Sequence, residues 1–135
     1  MGERALRGVL DTSVVIELGR ADPSDLPVET AITAITMAEL TAGPLATDDS
    51  AERARRQDRL LRTEALFDPL PFDAGAARAF GSVFSAVRAS GRQTRGRAIV
   101  LLIASIALAH GLPLYTRNPV GFHGLGDLIE IVPVP

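Results

Sequence analysis

The chain has 135 residues with no cysteine, no tryptophan and one tyrosine, 47% hydrophobic residues, and a formal net charge of -2 from 14 basic and 16 acidic side chains. A chain of this length buries roughly 68–70% of the surface its unfolded form exposes, so a single apolar core over residues 1–135 is expected and a disulfide scaffold is excluded. Thiolate metal sites and cysteine nucleophiles are excluded with it.

The stretch Met1–Gly8 is charged and lacks the apolar centre of a secretory signal, which predicts a cytoplasmic protein. Gly8-Val9-Leu10 reads as a buried strand that ends at Asp11-Thr12-Ser13, where a helix begins with Val14, Val15, Ile16 and Leu18. Ala31 to Ile35 is a second short strand, and Thr36 opens a helix that stops at Gly43-Pro44. Asp49 to Leu66 is a long helix, with Arg53, Arg56, Arg59 and Arg62 roughly on one face and Leu60, Leu61 and Leu66 turned to the core. Leu70 to Phe72 is a short strand, Asp73 caps a helix reaching about Ala89, and Ser90 to Gly96 is a polar loop. A buried helix from about Arg97 to His110 ends at Gly111, and strands Pro113–Thr116 and Ile129–Val132 complete the chain. The apolar stretch Ala98–Ala109 is well short of the ~18 residues that span a bilayer, so no membrane association is expected. Short apolar runs alternating with helical patterns predict an α/β fold around a parallel sheet.

Charge is distributed unevenly along this order. Residues 74–126 contain no Asp or Glu but carry Arg78, Arg88, Arg92, Arg95, Arg97 and Arg117. Such a segment fits a polyanion partner or a plain solvated face, and charge alone leaves the two balanced. The mean hydropathy of +0.21 with few aromatics points to apolar surface covered by a partner.

No Walker loop, dinucleotide glycine fingerprint, G-x-S-x-G elbow or H-E-x-x-H pair occurs. His110 stands in the last turn of a helix, where a positive group suits the dipole, and His123 lies in a glycine-rich loop. Carboxylates remain. Asp11 ends the first strand, at the sheet edge where open α/β folds bind ligands, although Asp before Thr-Ser is also an N-cap. Glu39 follows the second strand, although Thr36-x-x-Glu39 is also a capping box. Together, two carboxylates at the carboxyl ends of adjacent parallel strands suit Mg²⁺ or Mn²⁺, which take oxygen ligands and retain waters.

Leu10-Asp11-Thr12-Ser13, Ala38-Glu39-Leu40-x-x-Gly43, and the run from Leu101-Leu102-Ile103-Ala104 through Ala109-His110-Gly111-Leu112-Pro113-Leu114-Tyr115-Thr116-Arg117-Asn118-Pro119 resemble PIN-domain proteins, specifically the VapC-type toxin ribonucleases. The resemblance spans essentially the whole chain. It implies a three-layer α/β/α sandwich, an endoribonuclease site using Mg²⁺, an RNA substrate, a cognate VapB-like antitoxin and a homodimer. Residue by residue, Asp11 and Glu39 match the first two family acids and metal ligands, Thr12 and Ser13 the neighbouring hydroxyls, and Asn118 the amide of the last motif. Arg92, Arg95, Arg97 and Arg117 are expected to contact RNA. The third acid slot holds Val100 and the fourth Gly121, which implies either a weakened nuclease or an inactive module that binds RNA or an antitoxin.

Overall fold

The computed structural model describes residues 4–135; the first three residues of the charged N-terminal stretch lie outside it. Four strands, β1 (Arg7–Leu10), β2 (Glu29–Ala31), β3 (Leu114–Thr116) and β4 (Ile131–Pro133), form a parallel sheet in the order β2-β1-β3-β4. Five helices connect them: α1 (Thr12–Ile16), α2 (Ala34–Ala42), α3 (Ser50–Leu66), α4 (Ala74–Ala89) and α5 (Ala98–Ala109).

Alternation along the central strands assigns the two sheet faces. Val9 and Leu114 join a core with Val83 and Val87 of α4 and Leu101, Ile103, Ala104 and Ala107 of α5. Their neighbours Leu10 and Tyr115 join a second core with Val14 and Val15 of α1, Leu40 of α2 and Leu60 of α3. Both faces of the sheet are therefore covered, as parallel strands require, and the architecture is the expected α/β/α sandwich. Each fully buried leucine or isoleucine in these layers contributes about 1.5–3 kcal/mol of transfer free energy.

Several local expectations are corrected. The second strand runs Glu29–Ala31, earlier than Ala31–Ile35, because Thr33 leaves the sheet to cap α2, its hydroxyl accepting from Thr36 N at 3.2 Å. The helix thus starts at Ala34, and Thr36 is a fully buried helical residue and not a cap. The strand expected at Leu70–Phe72 is a single parallel bridge between Leu70 and Thr33. The last strand is shifted to Ile131–Pro133. Of the three α3 leucines only Leu60 is buried; Leu61 and Leu66 are 55% and 73% exposed, since the helix buries one narrow stripe through Leu60 and Thr63.

Candidate active site

The strand order creates a switch point. From β1 the chain moves outward to β2, then returns to β3 on the other side, so connections diverge and leave a crevice at the carboxyl ends of β1 and β3. Asp11 follows β1, and Thr116 ends β3. The Asp11 N–H donates to Tyr115 O at 3.0 Å, which carries the ladder to the edge of the crevice.

Asp11 is 6% exposed, a placement that costs several kcal/mol unless its oxygens are occupied. They are. Oδ1 accepts from Ser13 Oγ at 2.5 Å and Val14 N at 3.3 Å, and Oδ2 accepts from Thr116 Oγ1 at 2.7 Å. The capping reading holds, and the carboxylate that caps α1 is also the one at the switch point.

The hydroxyls act as relays from backbone to carboxylate. Ser13 Oγ accepts from Arg117 N at 3.0 Å while donating to Asp11, and Thr116 Oγ1 accepts from Asn118 N at 2.9 Å while doing the same. Thr12, the residue after Asp11, donates to Glu39 Oε1 at 2.5 Å. A hydroxyl has one proton to give, so the 3.0 Å contact between Thr12 Oγ1 and Thr36 Oγ1 has Thr36 as its donor. Glu39 is thus drawn to the crevice by Thr12, and the capping box once open to it is not formed. Consecutive residues Thr12 and Ser13 thus serve different carboxylates, Thr12 donating to Glu39 and Ser13 to Asp11.

The other expected residues fall around this centre. Val100 lies in the first turn of α5, half-buried and packed against the core that contains Val9 and Leu114. Gly121 lies in the 3₁₀ turn Pro119–Phe122, where a Cβ would stand 2.9 Å from Asn118 Nδ2. Asn118 joins the network through its main-chain N–H, with its amide side chain beside Gly121. Arg97 Nη1 donates to Gly121 O at 3.2 Å and Arg92 Nη1 to Val120 O at 3.0 Å. Arg117 Nη1 stands 3.8 Å from Glu17 Oε1, and Arg95 is exposed. His110 is the C-cap of α5 and His123 follows the 3₁₀ turn, both exposed and outside the network.

Sequence reasoning missed Thr116 and Thr36. The signal for Thr116 was a hydroxyl residue closing the apolar strand Leu114-Tyr115; Thr36 was misread as a cap.

The donor set is all oxygen: two carboxylates and the hydroxyls of Thr12, Ser13, Thr36 and Thr116. That chemistry fits a hard divalent cation that keeps much of its water, and does not fit a soft metal. Among the described residues no group of three or more His, Cys, Asp or Glu side chains is placed to hold a metal.

A groove of about 520 Å³ runs between α1 and α3, lined by apolar residues such as Val15, Ile16, Leu66 and Phe67 and by the arginines Arg20, Arg55, Arg59 and Arg62. No helix among the described residues is long and apolar enough to cross a membrane.

Comparison with known proteins matches residues 8–123 to the PIN domain. Ribonuclease VapC5 of Mycobacterium tuberculosis is 39% identical over 114 residues, covering 82% of each chain. VapC ribonuclease Y4jK of Sinorhizobium fredii is 33% identical over 135 residues, covering 90% of this chain and 95% of its own. Among solved structures, VapBC-5 from Mycobacterium tuberculosis, a member of the VapBC family of toxin-antitoxin systems, superposes with a TM-score of 0.80 at 33% identity, over 96% of this chain and 99% of that one.

Proposed function

The chain belongs to the PIN-domain family, and from that membership we propose that it is the ribonuclease toxin of a toxin–antitoxin pair, an endoribonuclease that uses Mg²⁺, with Mn²⁺ as a substitute, and is weakened by Val100 in the third acid slot. The observation that carries this reading is the buried Asp11 held by Ser13 and Thr116 at the switch point of the sheet, with the next residue, Thr12, holding Glu39.

Asp11 and Glu39 would hold the ion. When bound, it polarises a phosphoryl oxygen and acidifies a coordinated water. The chain's own residues do the positioning. Thr116 and Ser13 fix the Asp11 carboxylate against the sheet, and Thr12 holds Glu39 on the same side of the crevice. The main-chain N–H groups of Arg117 and Asn118, each given to one of those hydroxyls, keep the hydroxyl protons directed at Asp11. Val100 offers no oxygen, so one anionic ligand and one group able to orient water are lost relative to a full acid set.

The test is cleavage of a structured RNA at matched Mg²⁺. Cleavage by the unaltered chain should fall to background in Asp11→Asn and rise in Val100→Asp, where tenfold in rate requires only ~1.4 kcal/mol. Absence of cleavage by the unaltered chain and by Val100→Asp would reject the nuclease reading.

A second reading is favoured by one observation, that the described residues hold no three-acid cluster: the chain is then a catalytically inactive PIN module that binds RNA or an antitoxin. On either reading the partner is a VapB-like antitoxin, supported by the VapBC structures to which the chain is similar. An arginine of that partner is suited to enter the crevice, because a guanidinium fork neutralises two carboxylates at once. The isolated chain is proposed to act in the cytoplasm as a homodimer, which sedimentation of the purified protein would test.

A further inference from the structure

We propose that Thr36 is a positioning residue for Glu39: acting through Thr12, it holds the Glu39 carboxylate in place at the crevice for a divalent cation. This rests on the reading above that Asp11 and Glu39 hold the ion.

The direction in which Thr36 spends its proton is the first sign. Hydroxyls elsewhere in the helices bond back onto the carbonyl one turn earlier: Thr41 to Met37 O and Thr63 to Arg59 O, both at 2.8 Å, and Ser105 to Leu101 O at 2.6 Å. Thr36 instead reaches across to α1, donating to Thr12 Oγ1 at 3.0 Å. Its place in the first turn of α2 is the reason. The residue one turn earlier, Ile32, stands outside the helix, and its carbonyl accepts from Leu70 N at 2.9 Å. The Thr36 N–H is likewise occupied, by Thr33 Oγ1.

The second sign is where that proton leads. Thr12 Oγ1 accepts from Thr36 and has one proton to give, which goes to Glu39 Oε1 at 2.5 Å. A hydroxyl that accepts a hydrogen bond is polarised into a stronger donor, so Thr36 tightens a bond that it does not itself make. Thr36 and Glu39 are three residues apart on α2 and therefore share one side of it, with Thr12 of α1 bonded to both. Thr12 is pinned at two points and is joined in the chain to Asp11, so this line of oxygens fixes Glu39 relative to the other acid. Thr36 is fully buried, and bulk water does not replace its hydroxyl.

The experiment uses the full chain. Mn²⁺ binding is followed by the electron paramagnetic resonance of the free ion, and in EDTA the carboxyl carbon resonance of Glu39 and the χ1 couplings of Thr12 are recorded by NMR. Thr36→Val keeps the shape and removes the donor. It should weaken Mn²⁺ binding about tenfold, the lower end for groups that orient metal ligands. It should also shift the Glu39 resonance and average the Thr12 couplings. Thr36→Ser retains the hydroxyl and should bind Mn²⁺ as the unaltered chain does, even where the lost methyl lowers its melting temperature. Thr63→Val removes a buried hydroxyl from α3 and should alter stability while leaving Mn²⁺ binding and the Glu39 resonance unmoved. Unchanged Mn²⁺ affinity and an unchanged Glu39 resonance in Thr36→Val, or a Thr36→Ser as weak as Thr36→Val, would overturn the proposal. So would averaged Thr12 couplings in the unaltered chain, a check that needs no variant. If the unaltered chain binds no Mn²⁺, the metal reading above falls, and the spectra in EDTA by themselves decide whether Thr36 positions Glu39.

Discussion

At the residue scale, Thr116 shows how a short polar side chain makes a buried carboxylate tolerable. It is fully buried, gives its proton to Asp11 Oδ2, and receives the Asn118 N–H. Thr116→Val preserves the shape and removes both bonds, leaving an acid oxygen and a main-chain N–H short of a partner. Unmet hydrogen bonds of this kind cost about 1–3 kcal/mol each, more when one partner is charged. Denaturant unfolding should show a loss of at least that size, and RNA cleavage should fall with it. A variant as stable as the parent would mean that Thr116 does not hold Asp11.

At the element scale, Glu39 depends on how α2 is held. The chain between α2 and α3 is fastened by arginines of α3: Arg53 donates to Pro44 O and Thr47 O, and Arg56 to Gly43 O at 2.9 Å. Glu52 organises this fastening from the first turn of α3, accepting from Arg55 at 2.6 Å and Arg56 at 3.0 Å. The side-chain hydrogen bonds from Arg55 and then Arg56 hold the Glu52 carboxyl below its ordinary pKa. A carboxyl whose pKa is lowered by folding stabilises the folded chain above its unfolded pKa, and that contribution disappears as pH falls through the lowered value. Acidification should therefore loosen the start of α3 only at pH values below the usual glutamate range. An NMR titration of Glu52 with amide exchange over Ser50–Arg53 checks this, and a Glu52 midpoint at the ordinary glutamate value would contradict it.

At the scale of the whole molecule, α3 leaves apolar side chains uncovered, Leu61 and Leu66 among them. Leu66 is 73% exposed and, with Phe67, Ile16 and Leu18, lines the groove between α1 and α3. Apolar side chains grouped in one groove fit an interaction site better than they fit solvent. If the antitoxin covers this groove, Leu66→Glu should weaken the complex at least tenfold, about 1.4 kcal/mol, and leave the melting temperature of the isolated chain almost unchanged. Co-purification and thermal melts of the two proteins separate these effects. Undiminished affinity would place the antitoxin elsewhere.

The sequence alone determined the elements whose signals are local. Asp11 as the end of the first strand, the twelve-residue apolar α5 with its stop at Gly111, and the cap Asp73 were legible because turn chemistry and periodicity act over a few residues. The family resemblance likewise rested on short motifs, and it singled out Asp11 and Glu39. Tertiary structure decided the rest. Whether Thr33 or Thr36 caps α2 depends on the bridge from Thr33 to Leu70, and whether Glu39 closes a capping box or turns to the crevice depends on a hydroxyl 27 positions earlier in the chain. The Thr116 bond to Asp11 spans 105 positions, and the ordering of Arg92 and Arg97 spans 28 and 24. Such bonds arise where the β2-β1-β3-β4 order brings distant strand ends together, so no local pattern in the sequence records them.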